Sequence, residues 1–298
     1  MKFSVIVNNY NYGRFVGEAV ASASAQTYAP HEIIVVDDGS TDDSCERIAA
    51  LQQTIPNLRL HRQPNSGQLS ALRKGVELAT GDWCFFLDAD DTWTPEHLAE
   101  AERIIGAHAD ISFYYTDHRE TSGPSLFHSK WPEGAMGPVV GLVAVTRARV
   151  GSITSTLGLR RDLAIQALDF DRRLDPDWRT RADDCLLYGA SFAGAVAYYH
   201  PVPTVRYRIH GTNAFAQAGP DPTKRLYNAN RARLFEVLSA RFGVRRDALL
   251  DLLWSELSSS PRNRSHAEVR HRYRRAIRRA PGPRLRKLTL WLRSFWVR

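Results

Sequence analysis

The 298-residue chain predicts an α/β fold with a Rossmann-like, mostly parallel central sheet and a C-terminal helical extension. Two observations carry this. Short, β-branched apolar runs alternate with stretches of helical spacing through the first 116 residues, the β-α-β-α pattern of a sheet with crossover helices. From Pro222 onward only helical spacing remains. A composition of 43% hydrophobic and 10% aromatic residues supplies a substantial core and argues against disorder.

The elements follow in order. "FSVIVN" at 3–8 and "EIIVVD" at 32–37 are too brief for independent helices and read as strands. "DWCFFLD" at 82–88 and "ISFYYT" at 111–116 have the same character, with a weaker strand at "LRLHR", 58–62. Helical spacing fills 14–26, 43–54, 68–79 and 95–107. Ser40-Thr41-Asp42-Asp43 supplies N-cap residues, Thr94-Pro95-Glu96 places a cap, a first-turn proline and a carboxylate in order, and Gly81 is a helix stop. After residue 118 the stretch "TSGPSLFHSKWPEGAMGP" reads as a long loop that covers a site. Regularity returns with a strand at "SITSTLGLR", 152–160, a helix around 181–193, and then "AVAYYH" and "TVRYRIH". Pro281-Gly282-Pro283 separates the last two helices.

Charge is unevenly placed. Residues 261–298 hold 13 Lys and Arg against the single acid Glu268, so this tail carries +12 while the body sums to −4. Cys45, Cys84 and Cys185 are scattered with no C-x-x-C spacing, which excludes a disulfide framework and a zinc knuckle. The N-terminal apolar run is too short for a signal peptide, and no stretch of eighteen uncharged apolar residues follows. The expectation is a cytoplasmic chain, peripheral on the inner face of the membrane.

Three polar clusters end predicted strands: Asn8-Asn9-Tyr10-Asn11, Asp37-Asp38-Gly39-Ser40 and Asp88-Ala89-Asp90-Asp91. Taken singly, each is ordinary turn chemistry. In an open α/β sheet, however, ligands bind outside the carboxyl ends of the parallel strands, and a parallel sheet turns all three clusters to one crevice. Packed carboxylates repel and lose hydration, so they need a cation. A hard divalent ion, Mg²⁺ or Mn²⁺, prefers such oxygens and keeps positions open for the phosphates of a nucleotide diphosphate.

The stretches "SVIVNNYNYGRFVGEAVASASAQTYAPHEIIVVDDGSTDDS" and "NSGQLSALRKGVELATGDWCFFLDADD" resemble the nucleotide-binding half of a family 2 glycosyltransferase with a GT-A fold. The match is close over 3–100 and looser to 213. The resemblance implies donor contacts from Asn8, Tyr10, Asp38, Asp88, Ala89 and Asp90. Tyr10 would border the base and Asp38 would bind a uracil-type edge. Asp88-Ala89-Asp90 would be the D-x-D motif, with Asp90 the metal ligand and Asp88 near the ribose or the metal shell. Asp183-Asp184 resembles the family's acidic pair, which makes Asp184 the general base. Tyr207 to Asn213 resembles an R-x-H segment whose His210 reaches the metal or diphosphate. Asn8 stands where proline is common, Leu72-Arg73 where Arg-Asn or Leu-Asn is usual, which leaves the contacts near the donor sugar open, and Asp183 replaces Glu.

The resemblance therefore implies an inverting hexosyltransferase that uses a UDP-sugar and Mn²⁺ or Mg²⁺. Its acceptor would be a glycan or lipid-linked glycan in bacterial surface glycan assembly. A catalytic domain over 1–215 and an Arg-rich helical extension over 216–298 follow.

Two alternatives use other chemistry. Asp88-Ala89-Asp90-Asp91-Thr92 satisfies D-x-D-x-T, the pattern of haloacid-dehalogenase-type phosphatases, with Asp88 as nucleophile, Asp90 as acid/base, and Asp183 and Asp184 as metal ligands. That pattern belongs on a first strand, whereas strands and helices fill the residues before it here. The other alternative is a non-catalytic nucleotide-binding scaffold, against which the full set of acidic groups argues. His61, His97 and His200 receive no role. In the tail, Arg270, Arg274 and Arg278 precede Leu288, Leu290 and Leu292 interleaved with Trp291, Phe295 and Trp296, which suits an amphipathic helix on an anionic membrane surface. No nucleic-acid motif is present.

Overall fold

The computed structural model describes residues 1–121, 125–211 and 222–296. The first half builds β1 (Phe3–Asn9), α1 (Gly13–Ser24), β2 (Glu32–Asp37), α2 (Ser44–Gln52), β3 (Leu58–Arg62), α3 (Gln68–Leu78), β4 (Trp83–Asp88), β5 (Thr92–Trp93), α4 (His97–Ala107) and β6 (Phe113–Glu120). The second half adds β7 (Leu126–Phe127), β8 (Gly134–Met136), α5 (Val140–Thr146), β9 (Leu157–Arg160), α6 (Arg161–Leu168), α7 (Asp183–Phe192) and β10 (Ala197–Tyr207). Helices α8 (Pro222–Arg241), α9 (Leu249–Ser259), α10 (Pro261–Ser265), α11 (Ala267–Arg279) and α12 (Arg284–Arg293) complete it.

The strands form one sheet in the order β3-β2-β1-β4-β9-β6-β10-β5. Strands β3, β2, β1 and β4 are mutually parallel, as are β6 and β10, while β9 enters antiparallel between β4 and β6. Parallel strands under helices are buried on both faces, so their apolar runs are continuous. Val5, Val7, Ile33, Val35, Phe85 and Leu87 face one core with α1 and α4. Ile6, Ile34, Val36 and Phe86 face the other, which continues through Leu142, Leu186 and Leu187 to Leu234, Leu253, Leu257, Tyr273 and Ile277 of the extension. The extension thus shares the larger core. The expected domain boundary at 215/216 lies outside the described residues.

Several local expectations change. The stretch 152–160 is a strand only from Leu157, because a single tight turn occupies Thr154–Thr156. The segments "AVAYYH" and "TVRYRIH" form one strand up to Tyr207 rather than two. Its register against β6 shifts between His200 and Val205, where Pro201 and Pro203 lack the N–H a ladder needs. Among its described residues, the stretch 121–138 holds the short strands β7 and β8, and α5 follows it.

Neither expected N-cap forms a side-chain cap bond. Asp42 instead accepts hydrogen bonds from the Ser44 N–H at 3.0 Å and the Gly13 N–H at 2.8 Å, tying α1 to α2. The first turn of α4 is satisfied by Gln26, whose Oε1 accepts from the Leu98 N–H at 2.9 Å. Gly81 is no helix stop, since α3 ends at Leu78. A Cβ there would meet Ser4 Oγ at 2.7 Å and the Lys2 carbonyl at 2.8 Å, so close approach to β1 requires glycine.

Candidate active site

The strand order reverses between β1 and β4, since β2 and β3 lie on one side of β1 and the next parallel strand on the other. This is the switch point at which open α/β sheets bind ligands. Register places Asn8 beside Asp88 and Asn9 beside Asp37, so all three polar clusters meet at this edge.

The first two clusters are wired together. Asn9 Nδ2 donates to Asp37 Oδ2 at 2.7 Å and to Ser40 Oγ at 3.2 Å, and the Asn11 side chain accepts from the Thr41 N–H at 2.8 Å. Asp38 is buried and accepts from Gln63 Nε2 at 2.7 Å, the Ser66 N–H at 2.9 Å and the Gly67 N–H at 2.7 Å. It therefore shapes the loop leading into α3, where Gly67 has φ +95° and a Cβ would meet Arg179 Cα at 2.8 Å. A carboxylate has about four lone-pair sites, so these three bonds leave one on Asp38. Tyr10 is 47% exposed at the mouth of the crevice.

The third cluster is held from β10. Strand β5 pairs antiparallel with Val205 and Arg206, which brings the residues after Tyr207 onto the acids. The Arg208 N–H donates to Asp91 Oδ1 and its Nε to the Asp90 carbonyl, each at 2.9 Å. His210 Nε2 lies 3.0 Å from Asp90 Oδ2, with the imidazole packed on Phe15 at 4.6 Å. Thr212 and Asn213 of the same expected segment lie outside the described residues. Ala89 is fully buried between the two acids. Asp91 accepts from Ser155 Oγ at 2.6 Å. Burial, with Asp90 beside it, pushes the Asp88 carboxyl up to about 7, and burial with Asp90 and Asp88 holds Asp91 well above the carboxylate range.

Could this cluster hold a cation? Among the described residues, no three His, Cys, Asp or Glu side chains form a complete cage. Asp90 and His210 offer one oxygen and one nitrogen in contact, and the buried Asn8 Oδ1 has no hydrogen-bond donor of its own beside Asp88. An incomplete donor set of this kind suits a hard divalent ion that keeps sites for substrate phosphate. The residues fit such an ion.

The second acidic pair opens α7. Gln68 joins it to the first: Nε2 donates to Asp88 Oδ1 at 3.1 Å, and Oε1 accepts from the Ala182 N–H at 3.0 Å. Arg149 pairs with both Asp183 and Asp184, its Nε 2.8 Å from Asp184 Oδ1. Tyr227, on α8, donates its hydroxyl to Asp184 Oδ2. Asp184 is only 2% exposed, and the two carboxylates lift the Arg149 guanidinium above its usual value despite its burial.

Gln68, Ser155, Arg149 and Tyr227 were not singled out from the sequence. Gln68 stands inside the quoted "NSGQLSALRKG" stretch and was within reach, whereas Tyr227 comes from a helix with no local signal. Arg73 does not approach the crevice. It is buried, pairs with Asp175 at 3.1 Å and stacks on Phe170 at 4.3 Å, so its departure from the family pattern is a packing matter. The D-x-D-x-T reading also loses its context, because Asp88 ends the fourth strand and Thr92 belongs to β5. His97 is core: it stacks on Trp93 and sits 2.7 Å from Thr204 Oγ1, with burial pushing it down to about 3.

Comparison with known proteins agrees with this geometry. The glycosyl transferase family 2 pattern matches residues 4–164. A glycosyltransferase of Nostoc sp. is 35% identical over 225 residues, covering 72% of this chain and 66% of that protein. A PGL/p-HBAD biosynthesis glycosyltransferase of Mycobacterium bovis is 32% identical over 117 residues, 39% of this chain and 46% of that protein. The chain thus spans less than two thirds of the length of these relatives. In fold, it is similar to S. aureus TarS in complex with UDP-GlcNAc, with TM-score 0.61 and 19% identity over 94% of this chain and 82% of that one. The mannosyltransferase PcManGT from Pyrobaculum calidifontis, in complex with GDP-Man and Mn²⁺, superposes with TM-score 0.54 and 16% identity over 99% and 87% of the two chains. These likenesses establish the GT-A architecture. With its sequence pattern matched over more than half its length, the chain belongs to glycosyl transferase family 2.

Proposed function

We propose that this chain is an inverting glycosyltransferase that moves a sugar from a UDP-sugar, with Mn²⁺ or Mg²⁺, to the hydroxyl of a glycan or lipid-linked glycan in bacterial surface glycan assembly. It would work on the cytoplasmic side of the membrane, attached peripherally to an anionic surface, as a catalytic unit over 1–215 with a helical extension over 216–298. The observation that carries the reading is the meeting of Asn8, Asp88, Asp90 and His210 at the switch point, with Gln68 tying Asp88 to the Ala182 N–H at the head of the helix that carries Asp183 and Asp184.

In this reading Tyr10 borders the base, Asp38 uses its remaining lone pair on the uracil edge, and Asn8 and Asp88 face the ribose and metal shell. Asp90 and His210 would hold the divalent ion, which supplies positive charge for the departing diphosphate. The acceptor oxygen forms a bond to the anomeric carbon as the bond from that carbon to the phosphate oxygen breaks, and the electron pair leaves with the nucleoside diphosphate. Asp184 takes the acceptor proton, and attack opposite the leaving group inverts the configuration. Arg149 and Tyr227 occupy one site on each Asp184 oxygen and fix its orientation, which leaves the other lone pairs for the acceptor hydroxyl.

The test is nucleoside diphosphate release from UDP-, GDP- and dTDP-sugars with Mn²⁺, followed by NMR of the transferred anomeric centre. Release of UDP with an inverted product supports the reading. Phosphate release from simple phosphoesters with no sugar transfer would overturn it.

A further inference from the structure

We infer that α12, with the turn that follows it, is a docking face for an anionic lipid bilayer. This deepens the proposed location but does not depend on sugar transfer. Leu285, Leu288, Leu292 and Phe295 are spaced three, four and three residues apart, which sets them along one helical face. They are 77%, 52%, 51% and 51% exposed, and the neighbouring Trp296 is 84% exposed. Helical hydrogen bonds continue past Arg293 to Phe295 and Trp296, so the stripe is one surface.

The opposite face fixes its direction. Leu290 and Ser294 are buried, Arg274 of α11 donates to the Ser294 carbonyl at 3.1 Å, and its guanidinium lies over the Phe295 ring at 4.0 Å. Helix α11 is itself anchored in the main core through Val269, Tyr273, Ala276 and Ile277. The stripe therefore faces outward from a rigid base.

Charge selects the occupant. Arg275, Arg278, Arg279, Arg284 and Arg293 are exposed, and among the described residues none of them meets a carboxylate. A second copy pressed symmetrically on this face would set these arginines against their own counterparts. Nucleic acid would neutralise them but leave the leucine stripe in water. An anionic bilayer takes both, with arginines at the headgroups and Leu, Phe and Trp at the acyl boundary.

The experiment is sedimentation of the full chain with vesicles of phosphatidylcholine alone and of phosphatidylcholine with phosphatidylglycerol. The wild type should pellet with the anionic vesicles and not with the neutral ones. Neutralising Arg278, Arg279 and Arg293 to Gln should weaken binding about a hundredfold. Leu285→Gln with Leu288→Gln and Leu292→Gln should weaken it by at least about tenfold. Leu226→Gln, at a similarly exposed site on α8, should change nothing. All six changes in α11 and α12 lie at exposed positions, and an unchanged melting temperature verifies the fold of each variant. Equal pelleting with neutral vesicles, or variants that pellet like the wild type, would overturn the proposal. So would a dimer in solution that the leucine changes dissolve, or tight oligonucleotide binding without vesicle binding. Loss of vesicle binding with diphosphate release intact would separate this face from the catalytic reading.

Discussion

Two clusters of aspartates, one of three and one of two, sit within reach of one bridging glutamine, and they differ in what surrounds them. Asp183 and Asp184 face the guanidinium of Arg149 and accept a hydroxyl from Tyr227, so their charge is answered inside the fold. Asp90 lies against His210, and among the described residues Asp88 and Asp91 pair with no guanidinium or ammonium group. Arg208 gives Asp91 a backbone N–H and Asp90 a bond to its carbonyl, while its side chain also pairs with Glu18. Burial, with the neighbouring carboxylates, lifts the Asp88 carboxyl to about 7 and holds Asp91 above its ordinary value. On the proposed reading, the first cluster would take a divalent ion and the second, already paired with Arg149, would orient the acceptor.

The difference can be broken at several points. The largest effect is expected from Asp184→Asn, which should lower kcat by about 10²–10⁴ while leaving cation-dependent nucleotide binding unchanged. Steady-state kinetics beside a nucleotide titration checks both halves, and an equal loss of binding would merge the two sites. Arg73→Ala breaks a third buried pair, one remote from the crevice, and should cost about 3–5 kcal/mol in denaturant unfolding with no change in donor KM.

Glu256 offers a pH test away from the site. It is buried against α5, where it accepts from the Gly141 N–H at 2.7 Å and the Tyr273 hydroxyl at 3.0 Å, and burial lifts its carboxyl to about 7. The folded chain then keeps a proton that the unfolded chain releases near its ordinary carboxyl value. Stability should therefore fall as pH rises through the window up to about 7, by on the order of 3 kcal/mol from this group. Melting temperatures across that range should show the fall, and Glu256→Gln should make it shallower. The smallest effect is expected from Tyr227→Phe. It removes one hydrogen bond to a charged group, worth about 1.5–3 kcal/mol, and should lower kcat about tenfold or more with donor KM unchanged.

How much of this was legible follows from where each residue comes from. The crevice is built from strand ends close in sequence: Asn8, Asp38 and Asp88 each end an apolar run, and parallel pairing alone brings them together. The meeting of His210 with Asp90 required β5 to pair with β10, which no local pattern announces, yet the R-x-H resemblance pointed to it. Arg149 and Tyr227 carried no signal. One comes from the irregular region before β9, the other from a helix of the extension, and only the packing of α7 against α8 unites them. The caps were misread for a related reason. Asp42 bonds the Ser44 N–H beside it but also the Gly13 N–H of α1, and Gln26 reaches α4 from outside it, whereas capping preferences describe only bonds within one turn. The antiparallel entry of β9 is likewise a long-range choice between edges, invisible to a rule that reads alternation as a parallel sheet.

The most direct test of the central claim is a thermal-shift titration with UDP, GDP, dTDP and CMP, each with and without Mn²⁺, on the wild type and Asp90→Ala. The account predicts a cation-dependent rise in melting temperature with UDP that is lost in the variant, since a ligand held at 100 times its Kd stabilises by about 2.7 kcal/mol. A rise that ignores Mn²⁺, or one that Asp90→Ala retains in full, would contradict it.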